Sequence, residues 1–125
     1  MPAERHGLIV TGASSGIGRE LVRIAADRGY AILAIARRRE RLESLRAELQ
    51  KRAPLAILVA DITAAEAPAR IAEAARAQLP RIDIVLHNAG SASPGDLLAQ
   101  SDARLVEQWE LHLGAPLRIT RALLP

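Results

Sequence analysis

The chain has no cysteine and no phenylalanine, and only one lysine, one tyrosine and one tryptophan among its 125 residues. Without cysteine it has no disulfide, no thiolate metal site and no cysteine nucleophile, and no bound metal is expected. With Tyr30 and Trp109 as its only aromatics, it lacks the stacking platforms of a single-strand nucleic-acid binder. The basic cluster Arg37, Arg38, Arg39 and Arg41 has the composition of a nucleic-acid patch, but Glu40, Glu43 and Glu48 are interleaved with it and with the residues after it. A local task for one or two of these arginines is the better reading, and no nucleic-acid partner is expected. No apolar run reaches a bilayer-spanning length, so no membrane role is expected. The N-terminal Met1-Pro2-Ala3-Glu4-Arg5 leads to only three strong apolar residues, too few for a signal-peptide core. The expectation is a soluble cytoplasmic protein whose residues 1–125 form one domain, long enough to bury a core.

Half of the residues are apolar, and the core must be built from Leu, Ile, Val and Ala. That composition suits a buried parallel sheet under alanine-rich helices. The pattern alternates strand and helix without linker or repeat. Strands are predicted at Leu8–Val10, Ala31–Ala36, Leu55–Ala60 and Ile82–His87. Helices are predicted at Ile17–Arg28, with Leu21, Ile24 and Ala25 as the apolar face, and at Arg39–Lys51, with Leu42, Leu45 and Leu49 on one stripe. A third helix is predicted at Ala64–Leu79, and a long helical pattern from about Ser101 to Leu124 comes after the loop Asn88–Asp96. Strands separated by helices of this length imply right-handed crossovers and a parallel sheet. The expected architecture is a Rossmann-type, doubly wound α/β unit with strand order 3-2-1-4 and a ligand crevice at the carboxyl ends of strands 1 and 4.

The stretch Thr11-Gly12-Ala13-Ser14-Ser15-Gly16-Ile17-Gly18 lies between the first strand and the first helix. A strand, a tight glycine turn and a helix N-terminus together make an anion site suited to a dinucleotide pyrophosphate. Gly12 permits the sharp exit from the strand, Gly16 lets the backbone approach phosphate, and Gly18 lets the first helical turn pack closely. No Gly-Lys-Ser/Thr is present, which excludes the Walker phosphate loop. A glycine turn with no ligand is the plainer alternative.

Together with His87-Asn88-Ala89-Gly90 after the fourth strand and Asp61-Ile62-Thr63 after the third, this turn resembles the cofactor-side signatures of the short-chain dehydrogenase/reductase family. The stretch Leu113–Arg121 is similar to the family's next helix, so the resemblance covers essentially the whole chain. It implies that Ser14, Ser15, Gly16, Ile17 and Gly18 surround the cofactor phosphates with Gly12. Asp61 would bond the adenine amino group, Ile62 would line the ring, and Asn88, Ala89 and Gly90 would support the ribose and the central strand. Asp61 could instead cap the helix beginning near Ala64. The second strand ends in Ile35-Ala36-Arg37-Arg38, with no carboxylate before Glu40. A 2′-hydroxyl calls for an acid at this position and a 2′-phosphate for a cation, which favours NADP(H) over NAD(H). Arg37 is the first candidate, Arg38 the second and Ser14 a further donor. The alternative is that both arginines merely solvate a helix start.

The family's chemistry is hydride transfer between the cofactor and a carbonyl/alcohol pair, with a tyrosine acid/base, a lysine four residues on and a serine that orients the substrate oxygen. No Tyr-x-x-x-Lys occurs here, since Ala34 follows Tyr30 at that spacing and Lys51 stands alone. No catalytic residue is assigned. His112 stands where the family places an asparagine whose main-chain carbonyl holds a water. Pro116 deprives that carbonyl of its helical donor, so the role could survive the change. A histidine facing solvent or a partner subunit is the alternative. The expectation is therefore the NADP(H)-binding part of an oxidoreductase, inactive by itself and ending before the fifth strand. A non-catalytic nucleotide-binding module or a gene fragment is the competing reading. Ile82, Ile84, Val85 and Leu86 would then form a bare apolar edge, and the isolated chain is expected to be poorly soluble. The resemblance also implies a small carbonyl or alcohol substrate for the full-length enzyme, and homo-oligomers.

Overall fold

The computed structural model describes residues 3–125. Four strands form one parallel sheet: β1 (Gly7–Thr11), β2 (Ala31–Ala36), β3 (Leu55–Val59) and β4 (Ile84–Leu86), in the order β3-β2-β1-β4. Helices α1 (Gly16–Asp27), α2 (Arg39–Leu49) and α3 (Ala67–Gln78) connect them. A short 3-10 turn (Leu97–Ala99), α4 (Asp102–Trp109), a π turn (Glu110–Gly114) and α5 (Ala115–Leu123) come after β4. The expected strand order and Rossmann-type architecture are those observed.

The strands read as unbroken apolar runs because both sheet faces are covered. Leu8, Val10, Ile32 and Ala34 pack with Val22 of α1 and with Leu42, Leu45 and Leu49 of α2. The alternate residues Ile9, Leu33 and Ile35 pack with Ile71 and Ala75 of α3 and Ile119 of α5. The period-two alternation of a strand thus divides one apolar sequence between two helical layers.

Several boundaries differ from expectation. The buried side of α1 is Gly18, Val22, Ala25 and Ala26, while Ile24 is 44% exposed. Alanine and glycine let that helix sit close to the sheet, and a face chosen by side-chain size misses this. Helix α3 begins at Ala67 rather than Ala64. Asp61 takes the N–H of Thr63 into a side-chain turn, and helical growth starts only where Pro68 has preset φ. Strand β4 is three residues long and only Ile84 in it is exposed, at 39%, because Val85 and Leu86 point into the two layers. The long C-terminal helix is interrupted. Pro116 has no N–H to offer His112, and the N–H of Ala115 bonds back five residues to Glu110, which widens the helix into a π turn. On the outer side of this region Leu105, Trp109, Leu113 and Leu117 are exposed.

Candidate functional site

The carboxyl ends of all four strands open into one cleft of about 900 Å³. The turn after β1 contributes Gly12, Ser14, Ser15 and Ile17, the end of β2 Arg37 and Arg38, and the end of β3 Asp61 and Ile62. Asn88, Ala89, Gly90 and Ser91 extend from β4, and the α4 side closes the far wall. Eleven of the thirteen sequence-nominated positions therefore line one cleft, the exceptions being Gly16 and Gly18. Gly16 lies in a shallower depression beside Arg19 and Arg41, with a φ of +55° and open space where a Cβ would stand. Gly18 is buried behind the turn, where a Cβ would overlap the Gly12 carbonyl oxygen and the Asn88 amide nitrogen.

The turn is held by a compact polar lock. Thr11 is fully buried, and its hydroxyl accepts the N–H groups of Asn88 at 3.1 Å and Ala89 at 3.0 Å. The Asn88 side-chain amide donates to the carbonyls of Thr11 and Gly12, each at 3.2 Å. Gly12 takes a φ of +66°, and a Cβ there would come within 2.8 Å of the Ala89 Cα. Glycine is thus required by conformation and by the close approach of the β4 exit. Ser15 begins α1 in extended conformation, and its side chain caps none of the first N–H groups. Those donors stay free for an anion at the helix N-terminus.

Arg38 reaches across to this turn, donating from Nη2 to Ser14 Oγ at 3.4 Å and to Ser15 Oγ at 3.2 Å. Arg37 lies on the other side, toward Asp61. The Asp61 carboxylate accepts the Thr63 hydroxyl at 2.7 Å and the Thr63 N–H at 3.0 Å. These bonds, with the field of Arg37 added, hold its pKa below the ordinary carboxylate range, so it is an ionised acceptor at neutral pH. Asp61 is not the cap of α3, whose N-cap position is Glu66.

Two contributions are missing from the sequence reading. Thr11 is legible there only as part of a motif, because its partners are more than seventy-five residues away. Arg104, Glu107, Gln108 and Leu111 line the cleft from the α4 side. Their i, i+3, i+4, i+7 spacing is a signal for one helical face, but it is polar and lies beside the more conspicuous apolar stripe of the same helix. The His112 ring turns to the loop after β4, with Nε2 2.9 Å from the Ser91 carbonyl oxygen.

Residues 7–125 match the family described as short chain dehydrogenase. The chain belongs to the short-chain dehydrogenase family. A short chain dehydrogenase of Pseudocercospora fijiensis is 39% identical over 124 residues, covering 94% of this chain and 39% of that protein. The crystal structure of a short-chain dehydrogenase from Streptomyces avermitilis superposes with a TM-score of 0.89 at 35% identity, covering 100% of this chain and 45% of that one. A short-chain dehydrogenase from Sphingobium yanoikuyae, solved in complex with NADPH, gives a TM-score of 0.84 at 31% identity, covering 94% of this chain and 46% of that one. The chain thus spans less than half the length of these three relatives.

Proposed function

We propose that residues 1–125 form the NADP(H)-binding part of a short-chain oxidoreductase that transfers hydride between NADP(H) and a carbonyl or alcohol substrate. The observation that carries this reading is the pairing of Arg38 with Ser14 and Ser15, with Arg37 on its other side toward Asp61, at the cleft's β2 end. Two guanidiniums and a hydroxyl suit a 2′-phosphate, and no carboxylate stands where a 2′-hydroxyl would need one. The donor set fits the rest of the dinucleotide as well. Gly12 and Gly16 leave room at the N-terminus of α1 for a pyrophosphate, and Asp61 offers an ionised acceptor for an adenine amino group. The NADPH complex of the Sphingobium yanoikuyae relative supports the same cofactor.

The cofactor, when bound, supplies the hydride. These residues bind and orient: Ser14, Ser15 and the free N–H groups of α1 hold phosphate oxygens, and Thr11 and Asn88 keep the turn in place beneath them. None of the 125 residues belongs to a Tyr-x-x-x-Lys pair, so no proton donor for a substrate oxygen is assigned among them. Cofactor-fluorescence titration of the chain with NADPH and NADH tests the assignment. Arg37→Asp is expected to weaken NADPH far more than NADH, and equal loss for both would overturn the NADP(H) reading. Carbonyl-dependent NADPH oxidation by the chain alone would overturn the division of labour.

A further inference from the structure

Three side chains one turn apart reach from the C-terminal helix to the loop after β4. Arg104 donates from Nε to Ser93 Oγ at 3.1 Å, and Gln108 donates from Nε2 to Ser91 Oγ at 3.3 Å. His112 is the third, with Nε2 2.9 Å from the Ser91 carbonyl oxygen. A carbonyl only accepts, so His112 carries its proton on Nε2. Ser93 passes the chain on by donating to Gln100 Oε1 at 2.8 Å. Ser91, Arg104 and Gln108 all line the cleft, at the end lying across the glycine turn from Arg37 and Arg38.

Gly90 supplies a second, independent observation. Its φ is not positive, so its backbone could carry any residue. A Cβ there would nevertheless stand 2.8 Å from Cε1 of His112 and 3.5 Å from Nδ1. The bare α-carbon gives the imidazole the space from which it reaches Ser91.

We propose that Arg104, Gln108 and His112 are positioning residues that fix the Ser91–Ser93 loop, whose Ser91 lines the cleft, and so set how the cleft receives the half of the dinucleotide beyond the pyrophosphate. The proposal rests on the dinucleotide reading above. Each of the three contacts is exposed and contributes little alone. Their common target gives them their effect, because losing them frees one wall of the cleft while leaving the Arg37, Arg38 and Asp61 end intact.

The test is binding by the full chain of two ligands, NADPH and adenosine 2′,5′-bisphosphate, the second carrying only the adenine half. The double substitution Gln108→Ala with His112→Ala is expected to keep bisphosphate affinity within about twofold. It is expected to weaken NADPH roughly tenfold and to reduce the blue shift of bound nicotinamide emission. His112→Gln, which keeps a donor at similar reach, should return NADPH binding toward wild type in the presence of Gln108. Gly90→Ala combined with Gln108→Ala should behave as the double variant does, because it displaces the ring. Unchanged NADPH binding in the double variant overturns the proposal, as does equal loss of both ligands. A wild-type chain that binds neither ligand overturns the dinucleotide reading itself, and is thereby distinguished from failure of the positioning role alone.

Discussion

Asn88 and Gly18 share one small volume: the Asn88 amide that clamps the glycine turn occupies the place where a side chain on Gly18 would begin. Gly18 is therefore a packing residue behind the site, and the absence of its side chain lets β4 lock onto the turn after β1. Gly18→Ala must displace both the Asn88 amide and the Gly12 carbonyl. The expected cost is about 1–3 kcal/mol of stability, typical of overpacking, measured as a lowered denaturation midpoint with an unchanged slope. A variant as stable as wild type would show that the Asn88 lock is dispensable.

Arg38 and Arg37 make different contributions. Arg38 serves both hydroxyls from Nη2 alone, which leaves Nε and Nη1 of its planar fork for a phosphate, a bidentate geometry that a flexible ammonium matches poorly. Arg38→Ala should weaken NADPH binding roughly ten- to a hundredfold, the range expected for hydrogen bonds to a charged group. Arg38→Lys should recover only part of this loss in the same titration. Full recovery by lysine would mean that charge alone matters at this position.

Asp83 anchors the opposite end of the sheet. It accepts the Gly7 N–H at 2.8 Å and the Arg81 guanidinium at 2.7 Å, with His6 Nδ1 3.4 Å away. The Gly7 bond above all, then those of His6 and Arg81, holds its carboxyl below the ordinary range. A folded-state pKa below the unfolded value of about 3.9 means that the stabilisation is complete above that pH and is lost as pH falls through the folded value. Denaturation midpoints should therefore drop on acidification below about pH 4, and Asp83→Asn should make that decline shallower. An identical decline in the variant would remove Asp83 from the acid response.

His87 lies at the end of β4 with Nε2 2.8 Å from the Thr120 hydroxyl of α5, and burial lowers its pKa. The folded state therefore prefers the neutral ring. Its contribution is complete above the unfolded value of about 6.5 and is lost as pH falls through the lower folded one. An NMR titration should find the His87 midpoint below about 6.5. A midpoint above that value would contradict the burial argument.

Much of the site is legible before folding is considered. Gly12, Ser14, Arg37, Asp61 and Asn88 each come after a strand in a parallel α/β pattern, and such positions converge at the carboxyl edge of the sheet. The buried face of α1 is not legible in the same way, because Gly18, Ala25 and Ala26 bury by closeness of approach, which a search for bulky residues passes over. The start of α3 is hidden because the Asp61–Thr63 turn competes with the helix for the same backbone groups. The broken C-terminal helix is half legible. Pro116 announces a lost bond, while the five-residue turn that absorbs it is a backbone solution that composition does not display.

By itself the sequence determined the element types, the strand order and which donors stand at the sheet's edge. These come from periodicities of two and 3.6 and from glycines at a strand-to-helix turn, all of them local properties. Only the tertiary structure decided which of those donors meet. Thr11 locks Asn88 and Ala89, Arg38 reaches Ser14 and Ser15, and Arg104, Gln108 and His112 hold the Ser91–Ser93 loop. Such contacts depend on the register of parallel strands and on how closely helices approach the sheet, and those distances are set by packing between residues far apart in the chain.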